Sequence, residues 1–155
     1  MIQRIQSIWL LLAALTLVLM FFLPIASKEI KGAKSEIYTN GLHQKIEDNS
    51  GSSLSVEPFF PLLITNIAIA MICFVNIFNF RKRSFQKRFA IVSIILIIGF
   101  AFWCSVYAQK LPGGVEGASF GVGAYLPALA ILFVVLGIFG INKDERLIRS
   151  AERLR

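Results

Sequence analysis

The stretch Arg81-Lys82-Arg83-Ser84-Phe85-Gln86-Lys87-Arg88 carries five cationic side chains in eight residues and no acid. On each side of it lies an apolar run long enough to cross a bilayer, over residues 59–80 and 89–108. Lys and Arg close to a membrane span are retained on the cytoplasmic side. The basic stretch therefore predicts which way the neighbouring segments face.

The composition of the whole chain is that of a membrane protein. Its 155 residues are 56% hydrophobic and only 16% charged, and the mean hydropathy is +0.71. A soluble domain has roughly 25% charged residues. The net charge of +7 could indicate a nucleic-acid-binding protein, but most of the excess lies at the ends of apolar runs. Membrane orientation explains that distribution, so we expect no nucleic-acid partner.

Four apolar segments are expected to span the membrane. They cover about residues 7–25, 59–80, 89–108 and 124–141, separated by outer loops 26–58 and 109–123 and the inner loop 81–88, and followed by an inner tail, 142–155. The alternative for the first segment is a cleaved signal peptide. Its apolar part is longer than the usual ~7–15 residues of such a peptide, and Pro24 lies where a small residue is wanted, so a retained helix is favoured.

The distribution of cations gives the orientation. With this layout eleven of the sixteen Lys and Arg residues lie on one side, and five lie on the other. Both termini are therefore expected on the cytoplasmic side, with the whole chain as a single membrane domain.

The first outer loop contains a hairpin signal at Asn40-Gly41, because both residue types tolerate the positive φ of a type I′ turn. A two-residue loop there pairs Tyr38 with His43 and Glu36 with Lys45. The apolar side chains collected on the opposite face are Ile37, Leu42 and Ile46. Alternation at Leu54 and Val56 predicts a third strand. The alternative is a flexible loop.

The second outer loop and the tail have simpler patterns. Gly113, Gly117 and Gly121 recur every four residues, which could mark a helix-packing seam, but intervening polar residues and Pro112 favour a glycine-rich turn. In the tail, apolar and charged residues separate onto two helical faces. With Asp144 as N-cap, this pattern predicts a short amphipathic helix at the membrane surface.

Three segments of the chain resemble a known family: the opening residues 1–14, the basic stretch through Phe89, and the closing residues 144–155. They are similar to those of four-span inner-membrane proteins of Bacteroidota described as domain of unknown function 4293. The resemblance runs from Met1 to the C-terminus and implies a location in the cytoplasmic membrane. It implies no activity, cofactor or catalytic residue.

The expected fold is an all-α integral membrane protein: a bundle of four transmembrane helices with both termini cytoplasmic, a small β-hairpin or β-meander in the first outer loop, and a short amphipathic C-terminal helix. A basic inner face is expected to bind anionic lipid headgroups or a protein partner. Its residues are Arg81, Lys82, Arg83, Lys87, Arg88, Arg146, Arg149 and Arg153. Lipid anchoring is favoured, since it requires only the composition.

Polar residues inside the spans could serve either packing or transport. The candidates are Asn66, Asn76 and Asn79. Hydrogen bonds between helices are favoured over a solute path, because no span contains an ionisable side chain. The single histidine, His43, lies in the outer loop, and neither Cys73 nor Cys104 belongs to a metal-binding pattern.

We therefore expect a non-catalytic scaffold, assembly or accessory subunit, without cofactor, catalytic residue or metal site. Its partners would be membrane lipids and either an unknown protein or further copies of itself. The alternative is a small transporter or channel subunit, and a membrane enzyme comes third.

Overall fold

The computed structural model describes residues 3–30, 33–48, 51–79 and 82–152. Within them the chain forms four α-helices, namely α1 (Gln3–Leu19), α2 (Phe60–Phe78), α3 (Arg83–Ala108) and α4 (Leu126–Glu152). Five strands complete the fold: β1 (Ala26–Ile30), β2 (Ala33–Tyr38), β3 (Gly41–Asp48), β4 (Gly51–Pro58) and β5 (Ser119–Phe120). The protein is thus mostly helical, with one antiparallel sheet.

Three helical segments in the described residues are long and apolar enough to cross a membrane: Phe60–Phe78, Arg83–Ala108 and Val122–Leu147. Helix α1 is apolar but shorter. Its 17 residues span about 25 Å at ~1.5 Å per residue, slightly less than a hydrocarbon core of about 30 Å. The structure thus gives three helices of spanning length and a fourth, shorter apolar helix.

Helix α1 ends earlier than predicted, at Leu19 rather than residue 25. The Thr39 hydroxyl donates a 3.0 Å hydrogen bond to the Met20 carbonyl just beyond the helix. The backbone N–H of Ile25 donates to Ile37 of the sheet. Pro24 lies between these two attachments and lacks an N–H to continue the helix. The segment after Leu19 is therefore held by the sheet.

Each helix packs against two neighbours: α1 against α2 and α4, and α3 against α2 and α4. Glycines bring α1 and α4 together, because a Cβ on Gly137 would contact Leu10 and a Cβ on Gly140 would contact Gln6. Adjacent helices run antiparallel. One end of the four helices therefore carries the strands, and we call it the sheet end. The opposite end carries Arg83 and the tail, and we call it the basic end.

The strands form one antiparallel sheet in the order β4-β3-β2-β1-β5. The predicted strands around the hairpin and at Leu54 and Val56 are confirmed as β2, β3 and β4. Strands β1 and β5 are not predicted. Their pairing, at Ala26↔Phe120 and Ser27↔Ser119, joins both predicted outer loops into one sheet.

The predicted position of the hairpin turn is wrong by one residue, and every predicted cross-strand partner is therefore wrong by two residues. The two-residue loop is Thr39-Asn40, so Ile37 pairs with Leu42 and Tyr38 with Gly41. Gly41 belongs to β3 because it also pairs with Pro58, where a Cβ would collide with the backbone oxygen of Glu57.

The faces of the hairpin are nevertheless as predicted, since the shift between observed and predicted partners is two residues and strand side chains alternate with a period of two. Ile37 and Leu42 share the buried face, while the side chain of Ile46, the third predicted member, lies outside the described set. Tyr38 and His43 meet diagonally, with ring centroids 4.9 Å apart.

The turn after α3 is glycine-rich, as predicted. Gly113, Gly114 and Gly117 all have φ near +70°, a conformation that glycine adopts without steric cost. This turn leads directly into β5.

Two predictions at the basic end need correction. The predicted inner loop 81–88 is largely the first turns of α3, which begins at Arg83. The predicted separate tail helix is the continuation of α4, which runs unbroken to Glu152. The chain from Ile141 to Glu152 contains no proline or glycine that would end the helix. Its Lys, Glu and Arg residues are good helix formers. Asp144 is therefore inside a helix and is not an N-cap.

Candidate functional site

The predicted basic face is spread over two helices. Lys82, Arg83, Lys87 and Arg88 lie at the start of α3, and Arg146 lies in the last turns of α4. Arg149 also belongs to α4, although its side chain is outside the described set. Arg81 and Arg153 fall outside the described residues.

The structure brings two of these cations to one pocket. Lys87 from α3 and Arg146 from α4 line a cavity of about 330 Å³ together with Asn142 and Glu145. These side chains offer two cationic donors, an amide and a carboxylate. The pocket can therefore bind a polar group that carries negative charge. Asn142 and Glu145 were not singled out from the sequence, because only the packing of α4 on α3 places them beside Lys87.

The predicted asparagines make contacts between neighbouring helices. The Asn66 amide donates to the Leu17 carbonyl, at 3.2 Å. Asn76 and Gln86 form a reciprocal pair in which each side-chain amide donates to the other residue's backbone carbonyl, both at 3.2 Å. Asn79 is the C-cap of α2 and is half-buried. Gln86 was missed because it lies in a stretch that looked like a basic loop.

Two further buried polar side chains lie on the neighbouring helices α1 and α4. Gln6 is 1% exposed and Asp144 is 5% exposed. Neither side chain has a hydrogen-bond partner among the described residues for any of its polar atoms. The sequence did carry a signal for Asp144, since it follows Gly137 and Gly140 at helical spacing and so shares their face.

The sheet ends in a long open edge. Strand β4 has eight residues and pairs only with β3 among the described strands, and its side chains from Ser53 to Pro58 are exposed. The Phe59 N–H donates to the Asn40 carbonyl, which makes that pair a hydrogen-bonded one. Because bonded and non-bonded pairs alternate along an antiparallel ladder, Leu54 and Val56 direct their N–H and C=O groups away from β3.

The outer face of the hairpin carries a charged cluster. Lys34 forms a 2.7 Å ion pair with Glu36, and the Tyr38 hydroxyl donates to Glu36 at 2.9 Å. The hydrogen bond from Lys34 lowers the pKa of Glu36, and the same bond raises the pKa of Lys34. Partial burial, and then the bond to Glu36, raise the pKa of Tyr38. The predicted cross-strand pairing of Glu36 with Lys45 is wrong. In the observed register Glu36 lies opposite His43, and Lys45 lies opposite Lys34.

This cluster has the geometry of a surface network. His43 lies 3.3 Å from Asn40 through its Nε2 atom and contacts the Tyr38 ring. Across the described ranges, no group of three His, Cys, Asp or Glu side chains is placed to hold a metal ion.

Comparisons with known proteins bear out the family resemblance in the sequence. No curated protein matches the chain. The matching family covers nearly its whole length, from residue 2 to residue 154. The chain belongs to the family described as Domain of unknown function (DUF4293).

Proposed function

We propose that this protein is a non-catalytic scaffold, assembly or accessory subunit of the bacterial cytoplasmic membrane. In this proposal four helices span the membrane as a bundle, both termini are cytoplasmic, and the sheet stands on the outer surface. The three helices of spanning length and the concentration of cations at the basic end support this placement.

Helix α1 would be the fourth span. It packs antiparallel to α4, with Gln6 against Gly140 and Leu10 against Gly137, so both helices occupy the same layer. The apolar residues Phe21, Phe22 and Leu23 follow the helix and lengthen its apolar part. A locally thinner bilayer also accommodates a short span at modest cost.

The observation that carries the proposal is the open edge at β4. A long strand edge with unpaired backbone groups is a template for pairing with another chain, and proteins usually protect such edges with lysine, bulges or covering segments. Strand β4 carries one charged residue, Glu57, and no lysine. Its side chains Leu54 and Val56 are 64% and 46% exposed. An extended segment of a partner could pair with this edge.

The test is site-specific photocrosslinking in native membranes, with the crosslinker at Leu54 and, as matched control, at Phe120 on the opposite edge. We expect a discrete adduct from Leu54 and none from Phe120. An adduct of twice the protein's mass would identify a second copy as the partner. Failure of Leu54 to give any discrete adduct at native expression would contradict the proposal.

A proline variant tests the pairing itself. Val56→Pro removes an N–H that points away from β3, so the sheet should remain folded while the adduct is lost. Ser55→Pro is the control, because the Ser55 N–H points toward β3 and its loss should destabilise the sheet. If the adduct persists in folded Val56→Pro, backbone pairing at this edge is wrong.

A small transporter or channel subunit is the second candidate, and the burial of two polar side chains, Gln6 and Asp144, favours it. In the proposed placement Asp144 lies at the cytoplasmic end of α4, where a buried carboxylate could admit a cation to a path through the bundle. Proteoliposomes under Na⁺, K⁺ or H⁺ gradients would then show a flux that Asp144→Asn abolishes. Replacement of Asn66, Asn76 and Asn79 by Leu tests the polar lining that the sequence suggests. Flux no greater than that of empty liposomes would exclude transport of these ions.

A further inference from the structure

We propose that the pocket between α3 and α4 at the basic end is a specific site for the phosphodiester of a phospholipid headgroup. The inference rests on the proposed placement of this end at the cytoplasmic surface. It goes further than a general attraction of cations to an anionic leaflet, because it assigns binding of the phosphate to Lys87 and Arg146 and predicts no comparable contribution from Lys82 and Arg88.

The donors of the pocket suit a phosphate oxygen. Lys87 contributes an ammonium, Arg146 a guanidinium and Asn142 an amide, and they come from two helices that pack against each other. Charge-assisted hydrogen bonds from Lys and Arg to phosphate are shorter and stronger than neutral ones. The cavity of about 330 Å³ can contain a headgroup phosphate with part of its substituent.

The charge of the lining favours a monoanion. Among the described side chains of the lining, Lys87 and Arg146 are positive and Glu145 is negative, so together these three carry one positive charge. A phosphodiester carries a single negative charge, which this lining neutralises. A phosphomonoester, as in phosphatidic acid, approaches two negative charges near pH 7, because its second pKa is about 6. The pocket should therefore prefer phosphatidylglycerol over phosphatidic acid.

The position of the pocket indicates a lipid rather than a free phosphate. Asn142 directly follows the apolar residues of α4, and Lys87 lies two residues before the apolar run of α3. One turn further into the apolar part, Ile91 shares the face of Lys87, and Phe139 shares the face of Asn142. Both of these apolar side chains are exposed. A phosphate in the pocket would thus be followed by acyl chains along an apolar surface.

The experiment is native mass spectrometry of the detergent-solubilised full chain with dioctanoyl phosphatidylglycerol. The variant Lys87→Gln/Arg146→Gln removes both cations from the pocket. The matched control, Lys82→Gln/Arg88→Gln, removes two exposed cations of the same basic segment that do not line the pocket. Loss of two charge-assisted hydrogen bonds to the phosphate corresponds to roughly 30-fold in affinity. We expect that loss in the pocket variant, and less than about threefold in the control, whose exposed cations do not line the pocket.

Further probes separate the sources of the phosphate. Inorganic phosphate and glycerophosphate should bind at least tenfold more weakly than the lipid, and dioctanoylglycerol, which lacks phosphate, should not respond to the pocket substitutions. Glu145→Gln raises the charge of the lining and should shift preference toward phosphatidic acid. Equal losses in the pocket and control variants would reduce the binding to general electrostatics and overturn the inference.

A separate measurement distinguishes failure of the headgroup site from failure of the proposed membrane placement. Labelling of a cysteine introduced at the exposed Ser84, in the same variants with Cys73→Ala and Cys104→Ala, reports whether the basic end faces the cytoplasm. If the basic end faces the cytoplasm but the pocket variant binds the lipid as tightly as wild type does, the headgroup site is contradicted and the proposed function is not. A basic end labelled from outside contradicts the proposed membrane placement, and the site with it.

Discussion

Gly41 is the residue at which the hairpin register is decided. It lies between two strands, paired with Tyr38 on one side and Pro58 on the other, and its missing side chain lets the Glu57 carbonyl approach. In the sequence, Asn40-Gly41 is typical of a tight turn. The structure uses this glycine for a close backbone contact, and the turn moves back to Thr39-Asn40.

Gly41→Ala should therefore destabilise the sheet, because the added methyl group collides with the backbone of Glu57. Overpacking of this kind typically costs about 1–3 kcal/mol. Gly99→Ala is the matched control, since a Cβ on Gly99 meets nothing within 4 Å. Thermal unfolding of both variants in detergent checks the difference. Equal midpoints for the two would contradict the close contact.

Glu36 gives the hairpin a dependence on pH. Its pKa lies below the ordinary value of 4.5 in the folded protein, chiefly because Lys34 donates a hydrogen bond to its carboxylate. A depressed folded pKa contributes stability above the unfolded pKa, and that contribution is lost as the pH falls through the folded value. Wild type should thus be more stable than Glu36→Gln at pH 7.

This advantage of wild type should shrink as the pH drops below about 4.5 and vanish once Glu36 is protonated. Unfolding midpoints measured from pH 7 down to pH 3 check the trend. Glu57→Gln, on the exposed edge strand, is the control and should follow wild type. A constant difference between wild type and Glu36→Gln over the whole range would show that charge on Glu36 plays no part.

The alternation of residues predicted which side chains of the hairpin share a face, and Ile37 and Leu42 are indeed buried together. The register depended instead on contacts with other segments. Thr39 is fully buried and donates to Met20, and a residue 19 positions away cannot be inferred from local turn preferences. Local pattern thus predicts the faces of a strand, whereas tertiary contacts select among registers that preserve them.

At the scale of elements, α1 packs on α4 through two glycines of α4. A Cβ on Gly137 would lie 3.4 Å from the Leu10 side chain, and one on Gly140 would lie 3.3 Å from the Gln6 side chain. Small residues at such positions let helix backbones approach in membranes, where packing rather than the hydrophobic effect drives association.

A graded series at Gly137 tests this contact. Gly137→Ala adds a methyl group at ordinary contact distance and should be tolerated, whereas Gly137→Leu must push α1 away and should cost about 1–3 kcal/mol. Gly99→Leu, on the open face of α3, is the matched control. Thermal unfolding in detergent provides the measurement. Equal tolerance of Leu at both positions would contradict close packing of α1 on α4.

The existence and apolar character of the helices could be predicted, but some of their ends could not. Hydropathy separates Ile141 from the charged tail, yet α4 continues through that boundary to Glu152 because nothing in the backbone chemistry stops it. Continuity brings Asp144 onto the buried face and Asn142 beside Lys87. Both features of the basic end, the pocket at Lys87 and the buried Asp144, thus depend on the continuation of α4 past the last apolar residue of the predicted span.

At the scale of the molecule, the sheet joins segments that the sequence places far apart. Strand β5 has only two residues, and no alternating pattern of that length is recognisable in a sequence. Its pairing with β1 depends on the arrangement of the helices, which bring the turn after α3 beside the end of α1. The N–H groups of Gly121 and Gly123 donate to the carbonyls of Ile25 and Pro24 and fix this junction.

A disulfide can test this arrangement directly. Ser27 and Ser119 are cross-strand partners whose hydroxyl oxygens lie 2.9 Å apart, although 92 residues separate them. Cross-strand partners have Cα atoms about 4.5–5.5 Å apart, within the range of about 4.4–6.8 Å that a disulfide requires. In a chain with Cys73→Ala and Cys104→Ala, the pair Ser27→Cys/Ser119→Cys should form a disulfide on mild oxidation.

Trypsin cleavage in the basic stretch provides the readout, because the two halves of the chain should stay joined until a reductant is added. The control pair Ser27→Cys/Ser84→Cys places its second cysteine at the basic end, a helix length away, and should separate into two fragments without reduction. Separation of the Ser27/Ser119 halves would show that β1 and β5 are not neighbours. The two predicted outer loops would then be independent of each other. The sheet that ends at β4 would no longer be connected through β5 to α3 and α4.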